Sequence, residues 1–205
     1  MHAEALTDKG KELFPRLASF KNFYLVGGTA LALQIGHRLS VDFDMFTDAD
    51  LPPRILDKIK QTFSDSVISV TYNVPGQLNV TVDQMKMTFF EYPYPPVESL
   101  INFEGVELLA IKEIAASKAF SIGKRLSYKD YVDWYFMLKE KHVNLSEVIK
   151  IGERKYGGDF NDRLFLSQLA SMSDIKTQKI DFLRNPIEHD KIQQFLDAQV
   201  QSFEF

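Results

Sequence analysis

Cysteine is absent from the 205-residue sequence. Its absence excludes a disulfide-stabilised scaffold, a thiolate nucleophile and a zinc site built on cysteine. Because disulfides form in oxidising compartments, a chain without cysteine also fits a reducing one. We therefore expect a cytoplasmic protein that is held together by an ordinary hydrophobic core.

A long hydrophobic run is also lacking. The longest apolar segment, residues 25–35, is interrupted by two glycines and is far shorter than the roughly 20 residues that span a bilayer. The first residues are polar and charged and show no pattern of a secretory signal. The sequence therefore predicts no association with a membrane.

Neither basic charge nor histidine is abundant. The 24 Lys and Arg are outnumbered by 28 Asp and Glu, which argues against binding nucleic acid by bulk attraction and leaves a local basic patch open. The histidines lack the four-residue spacing of a helical zinc site, and no local motif supports a Ser-His-Asp site. They are His2, His37, His142 and His189. Zinc hydrolysis and serine catalysis are therefore disfavoured.

Hydrophobic residues make up 45% of the chain, which is enough for a substantial core. Apolar alternation predicts strands, and apolar periodicity near 3.6 predicts helices. The predicted strands are 23–26, 41–46, 67–72, 77–82 and 85–92, and the predicted helices are 4–20, 30–35, 52–63, 107–120, 128–140, 145–156, 161–172 and 188–201. We therefore predict an α/β (α+β) protein, with a mixed sheet and helices in residues 1–105 and a helical domain in residues 106–205.

Two glycines, Gly27 and Gly28, separate the first predicted strand from a run of good helix formers. Glycines let the backbone approach a ligand closely, and the N–H groups at the start of the following helix suit a phosphate. A plain tight turn is the alternative interpretation of the same residues.

A pair of acids follows one predicted helix later. Asp42 and Asp44 are two residues apart on a predicted strand, so both side chains leave the same face and can chelate one hard cation such as Mg2+. The alternative is a solvent-facing edge of an amphipathic strand. A metal-holding pair downstream of a phosphate-binding turn is what transfer from a nucleoside triphosphate requires.

These residues resemble the nucleotidyltransferase superfamily related to DNA polymerase β, whose signature is a Gly-Gly or Gly-Ser turn followed by Asp-x-Asp on a strand. The segments Gly27-Gly-Thr-Ala-Leu31 and His37-Arg-x-Ser-x-Asp-x-Asp-x-Phe46 resemble, more narrowly, the AbiEii/AbiGii abortive-infection toxin group. Residues 116–136 resemble the second signature of that group, a lysine followed by an Arg/Lys-Asp-x-x-Asp helix. The two motifs stand in the order that the group has.

The resemblance implies Mg2+-dependent transfer of a nucleotide to an acceptor. It implies that Asp42 and Asp44 hold Mg2+ and act in catalysis. The residues that it assigns to the nucleotide are Gly27, Gly28 and Thr29 for the phosphates, with Arg38 and Ser40 in support.

The second signature implies a catalytic lysine and a catalytic acid. Lys118 matches the lysine and Asp130 the acid, with Asp133 as the alternative acid and Lys112 as a competing lysine. The other interpretation is that Lys118, Arg125 and Lys129 form the solvated face of a helical hairpin.

The sequence departs from the superfamily pattern at a third carboxylate, which the resemblance places on a later strand as the base. Thr88 occupies the expected position, and alternation puts Glu91 on the opposite face. We expect Thr88 to face Asp42 and Asp44, and we take Asp130 as the candidate base because the resemblance places that acid at the same cleft.

The resulting hypothesis is a nucleotidyltransferase that holds its nucleoside triphosphate between the two domains. RNA, a protein or a small molecule is left open as the acceptor, and family membership implies a toxin with an antitoxin partner. Two alternatives stand beside it: a non-catalytic module that binds a nucleotide or a partner protein, and a small-molecule modifier of the antibiotic-adenylating kind.

Overall fold

The computed structural model describes residues 1–122, 124, 127–172 and 175–204, and it divides the chain between Ala110 and Ile111. The division lies five residues after the predicted domain boundary of 105. It lies there because residues 106–108, which we expected to begin a helix, form a strand that pairs with the first strand of the sheet.

The first unit, Met1–Ala110, is built on a seven-stranded mixed sheet. Its strands are β1 (Tyr24–Val26), β2 (Asp42–Thr47), β3 (Ile68–Val74), β4 (Gln77–Val82), β5 (Met85–Glu91), β6 (Ile101–Phe103) and β7 (Val106–Leu108), in the order β3-β4-β5-β2-β1-β7-β6. The pairs β1/β7 and β2/β5 are parallel, and the other pairs are antiparallel. All five predicted strands are present, whereas β6 and β7 were not predicted.

The helices of this unit are short. They are α1 (Asp8–Leu13), α2 (Gly27–Ile35) and α3 (Ile55–Thr62), with 3-10 turns at Ala3–Ala5 and Phe14–Ser19. The single helix predicted over residues 4–20 is therefore wrong. Thr7 caps a new helix by accepting a hydrogen bond from the Gly10 N–H, and Pro15 lies in the first turn of the second 3-10 segment.

Alternation along the central strands separates a buried face of the sheet from an open one. On the buried face, six apolar side chains of β2, β4 and β5 are at most 1% exposed. They are Phe43, Met45, Leu78, Val80, Met87 and Phe89. The open face carries Asp42, Asp44 and Thr88, which are half-buried, and Lys86, which is exposed. The polar face of β2 that the sequence predicts is thus an accessible face of the sheet.

The second unit is helical. Its helices are α4 (Ile111–Ser121), α5 (Tyr128–Lys139), α6 (Leu145–Tyr156), α7 (Asp162–Leu169) and α8 (His189–Gln201), with a 3-10 turn at Gly157–Asp159. They enclose Trp134, Tyr131 and Phe165, which are at most 1% exposed. All five predicted helices are present, although the first begins four residues later than expected. Among the described residues, every helix is too short or too polar to traverse a lipid bilayer.

Candidate functional site

The phosphate-binding turn that the sequence predicts is the first turn of α2. The helix begins at Gly27, immediately after β1, rather than at residue 30 as expected. Gly27 has a φ of +67°, a conformation that glycine adopts without strain. Val26 at the N-cap makes no side-chain hydrogen bond to the first N–H groups of the helix, and such groups suit an anion.

Gly27 also brings the backbone against the acid pair. A Cβ at this position would lie 3.0 Å from Oδ2 of Asp44. The start of α2 and the Asp44 carboxylate are therefore adjacent, and a larger residue at position 27 would fill the space between them.

Arg38 lies beside Gly28. A Cβ on Gly28 would be only 2.6 Å from Arg38 Nη2, and the arginine is 3% exposed. Its Nη1 donates a hydrogen bond to the Leu39 carbonyl oxygen at 3.1 Å. The guanidinium group is thus a buried positive charge next to the first turn of α2.

Thr29 and Ser40 complete the contact between α2 and β2. The Thr29 hydroxyl oxygen lies 2.7 Å from that of Ser40 and 3.3 Å from Asp42 Oδ1, and it hydrogen bonds to the Asp42 main-chain oxygen. Thr29 is 1% and Ser40 4% exposed. Both hydroxyl groups therefore contact protein atoms in the interior.

Asp42 and Asp44 share the open face of β2, as their spacing predicts. Asp44 stands in register with Val26 on β1 and with Thr88 on β5. Two half-buried carboxylates on one face, beside the first N–H groups of a helix, are a donor set that suits Mg2+ with a phosphate ligand.

A third acid does not accompany the pair among the described residues, which contain no cluster of three metal-ligating side chains. Thr88 faces the pair, as expected. Glu91 stands in register with buried Thr47 on the other face, and its Oε2 accepts a hydrogen bond from the Leu51 N–H at 3.3 Å. Asp83 lies in the turn before β5, where the hydrogen bond from the Val67 N–H lowers the pKa of its carboxyl group.

An aromatic cluster lies next to the acids on the sheet unit. Phe46 follows Asp44 by two residues on the same face of β2, and its ring centroid is 5.2 Å from that of Phe90 and 5.1 Å from that of Tyr92. Tyr94 continues the cluster at 5.5 Å from Tyr92. All four rings are half-buried, so each presents part of its surface to solvent.

In the helical unit, Lys118 lies between two acids. Its Nζ is 2.5 Å from Asp130 Oδ1 and 2.7 Å from Asp133 Oδ2, and the three side chains are 4%, 6% and 0% exposed. The solvated-face interpretation is therefore wrong for Lys118, whereas Lys129 is half-buried and Arg125 lies outside the described residues. Asp130 points to Lys118 rather than to bulk solvent.

Lys112 occupies a different environment on the same helix. It is 49% exposed and pairs with Glu147 at 3.0 Å, which lowers the pKa of Glu147. Of the two lysines between which the sequence leaves a choice, Lys118 is buried and pairs with two acids, whereas Lys112 is at the surface and pairs with Glu147.

Comparison with known proteins identifies the family. The model of the nucleotidyl transferase AbiEii toxin family, type IV toxin–antitoxin system, matches residues 11–94. An uncharacterized protein of Aquifex aeolicus is 31% identical over 185 residues, which cover 89% of this chain and 88% of that protein. The chain belongs to the AbiEii nucleotidyltransferase family. This family is one of nucleotidyl transferase toxins.

Solved structures share the fold of this AbiEii family member. MenT4, a nucleotidyltransferase toxin of Mycobacterium tuberculosis, superposes with a TM-score of 0.63 at 14% identity, over 96% of this chain and 83% of that one. JHP933 from Helicobacter pylori gives a TM-score of 0.59 at 15% identity, over 96% and 92% of the two chains. The α/β fold class is confirmed.

The structure of the AbiEii family member brings together every predicted site residue of the sheet unit. These are Gly27, Gly28, Thr29, Arg38, Ser40, Asp42 and Asp44. Lys118 and Asp130 contact each other in the helical unit, and a nucleotide site shared by the two units stays a prediction. Glu113 and Lys155, which are 0% and 1% exposed, form a buried ion pair that was not predicted. The available signal was the position of Glu113 within the largely apolar segment 108–116, which indicates a buried acid.

Proposed function

We propose that this chain transfers a nucleotidyl group from a nucleoside triphosphate to an acceptor hydroxyl, with Mg2+ held by Asp42 and Asp44. The observation that carries the proposal is the position of the acid pair, directly beside the N-terminus of α2 on the open face of the sheet. When bound there, Mg2+ supplies positive charge that offsets the negative charge of the phosphates.

The groups of the chain take the following roles. The first N–H groups of α2, at Gly27 and Gly28, bind the phosphates, and the Arg38 guanidinium adds positive charge beside them. The acceptor oxygen forms a bond to the α-phosphorus, the bond to pyrophosphate breaks, and pyrophosphate leaves. Asp130, with Lys118, is the proposed acceptor of the hydroxyl proton, and Asp133 is the alternative.

The aromatic cluster of Phe46, Phe90, Tyr92 and Tyr94 favours RNA as the acceptor. Partly exposed aromatic rings can stack on bases with little regard to sequence, and Phe46 of this cluster follows Asp44 on the same face of β2. The biological role that follows from the family is that of a toxin restrained by an antitoxin protein.

A non-catalytic nucleotide-binding module is the second candidate, and one observation favours it. Thr88 stands where the superfamily pattern has a third carboxylate, so the site has two acids rather than three.

Incubation of the purified protein with Mg2+ and each α-labelled nucleoside triphosphate tests these proposals. Separate reactions contain total RNA, the proteins of a cell lysate, or small hydroxyl compounds such as aminoglycosides. We expect labelled RNA. Label on protein or on a small molecule would replace the RNA acceptor, and nucleotide binding without any transfer would favour the non-catalytic module. Asp50→Asn, an exposed acid beyond the end of β2, is the matched control for Asp42→Asn.

A further inference from the structure

Two buried hydroxyl groups form a chain that ends on Asp42. The Ser40 and Thr29 hydroxyl oxygens are 2.7 Å apart, and Thr29 Oγ1 reaches both the main-chain oxygen and carboxylate Oδ1 of Asp42. Thr29 is 1% exposed and Ser40 4%, whereas Asp42 is half-buried on the open face. These hydrogen bonds therefore connect the interior to the proposed metal site.

The Thr29 hydroxyl group is the donor in each of these contacts, to Ser40 Oγ and to the two oxygens of Asp42. The carbonyl and ionised carboxylate oxygens of Asp42 can only accept. Thr29 therefore links Ser40 to Asp42.

Ser40 is itself fixed by the N-terminal segment. Its main-chain N–H donates to the Ala5 carbonyl oxygen at 2.9 Å, and it forms a parallel bridge with Leu6. Ala5 and Leu6 are 0% and 3% exposed. Ser40 is thus held by buried backbone. Through Thr29 it can therefore restrain the Asp42 carboxylate.

The geometry assigns Thr29 and Ser40 as positioning residues that fix Asp42 for its cation, an inference that rests on the proposed function. The resemblance implied that Thr29 binds phosphate and that Ser40 supports the nucleotide. A threonine that is 1% exposed and donates its proton to Asp42 is poorly placed to bind a phosphate. Groups that orient a metal ligand in this way commonly change metal affinity about 10- to 100-fold when they are removed.

Binding of Mn2+ to the full chain without nucleotide tests the assignment. Thr29→Val keeps the shape of the side chain and removes the hydroxyl, so we expect Mn2+ affinity to fall about 10- to 100-fold. Thr29→Ser restores the hydroxyl and should restore the affinity. Ser40→Ala should weaken Mn2+ binding in the same direction, and it decides the question if Thr29→Val does not fold.

Thr47→Val is the matched control. Thr47 is 1% exposed at the other end of β2, and its hydroxyl accepts a hydrogen bond from the Ala49 N–H at 3.3 Å. Loss of this buried hydroxyl should leave Mn2+ affinity unchanged. An equal loss in Thr47→Val and Thr29→Val would show a general effect on the strand and overturn the assignment.

A second measurement separates positioning from phosphate binding. The affinity for a nucleoside triphosphate in EDTA should be the same for the wild type and Thr29→Val, because a positioning residue does not touch the phosphates. A weaker affinity in EDTA would make Thr29 a phosphate ligand and overturn the inference.

The Asp42→Asn variant distinguishes this inference from the proposed function. A wild-type chain that binds no Mn2+, or an Asp42→Asn variant that binds it normally, overturns both. Loss of binding in Asp42→Asn together with normal binding in Thr29→Val and Ser40→Ala overturns only the positioning roles.

Discussion

At the scale of single residues, burial separates side chains that look alike in the sequence. Lys112 and Lys118 lie on the same helix, yet the first is at the surface and the second is enclosed with Asp130 and Asp133. The motif favours Lys118 over Lys112 and Asp130 over Asp133. The structure places both acids against the lysine, so contact with Lys118 does not distinguish them.

Replacement of Lys118 by alanine should destabilise the protein strongly. The change leaves two buried carboxylates without their lysine, a situation that costs about 3–5 kcal/mol of unfolding free energy. Lys112→Ala removes an exposed pair and should cost at most about 1 kcal/mol. Urea unfolding of both variants checks the difference, and equal losses would show that the buried cluster does not contribute as described.

The alternation of side chains along a strand could predict that Asp42, Asp44 and Thr88 lie on one face of the sheet, because a period of two fixes side-chain direction. The contact between Ser40 and Thr29 could not be predicted in the same way. It joins a helix to the residues before a strand, and only the packing of α2 against β2 brings the two hydroxyl groups together.

At the scale of elements, short strands escape prediction because their stability comes from distant partners. β6 and β7 have three residues each, and β7 is held by parallel pairing with β1, more than 80 residues earlier in the chain. The start of α2 was misplaced for a related reason. Glycine is a poor helix former, but Gly27 is needed where α2 approaches Asp44.

A methyl group at Gly28 should weaken nucleotide binding by displacing Arg38. The added Cβ would lie 2.6 Å from Arg38 Nη2, so the guanidinium group must move. We expect affinity for the nucleoside triphosphate to fall about ten-fold, the effect of losing one charge-assisted contact. Calorimetric titration measures it. Gly158→Ala, at a second Gly-Gly pair where no atom lies within 4 Å of an added Cβ, should bind normally.

A salt bridge joins the second 3-10 segment to the residues after α3. Arg16 forms two hydrogen bonds with the carboxylate of Asp65, with 2.8 Å between Nη2 and Oδ2. The bond from Arg16 lowers the pKa of Asp65 from 3.8 to about 2. Because the folded pKa is the lower one, the stabilisation is complete above about pH 4 and is lost as the pH falls toward 2.

Asp65→Asn should therefore be less stable than the wild type at pH 6, and the difference should disappear between pH 4 and pH 2. Urea midpoints at several pH values measure this. Asp57 is an exposed acid on α3 and serves as the control. The urea midpoints of Asp57→Asn and the wild type should not converge in the way that those of Asp65→Asn and the wild type do. A gap between wild type and Asp65→Asn that persists at pH 2 would contradict the predicted contribution of the salt bridge.

At the scale of the whole molecule, the change from strand to helix patterns predicts two domains with a boundary at residue 105, and the structure divides the chain between Ala110 and Ile111. The order of the strands could not be predicted, since the parallel pairs β1/β7 and β2/β5 depend on which distant segments meet. The candidate site residues of the sheet unit could be proposed from the sequence because the acid pair and the glycines lie close together in sequence, and the structure places them close together in space.

The central claim is that Asp42 and Asp44 carry a Mg2+-dependent nucleotidyl transfer, and the ratio of pyrophosphate released to label incorporated tests it most directly. With Mg2+, a nucleoside triphosphate and the acceptor that takes up label, the wild type and Asp50→Asn should give one pyrophosphate per nucleotide transferred. Asp44→Asn should keep the fold and give neither product. Release of phosphate instead of pyrophosphate, or undiminished transfer by Asp44→Asn, would contradict the account.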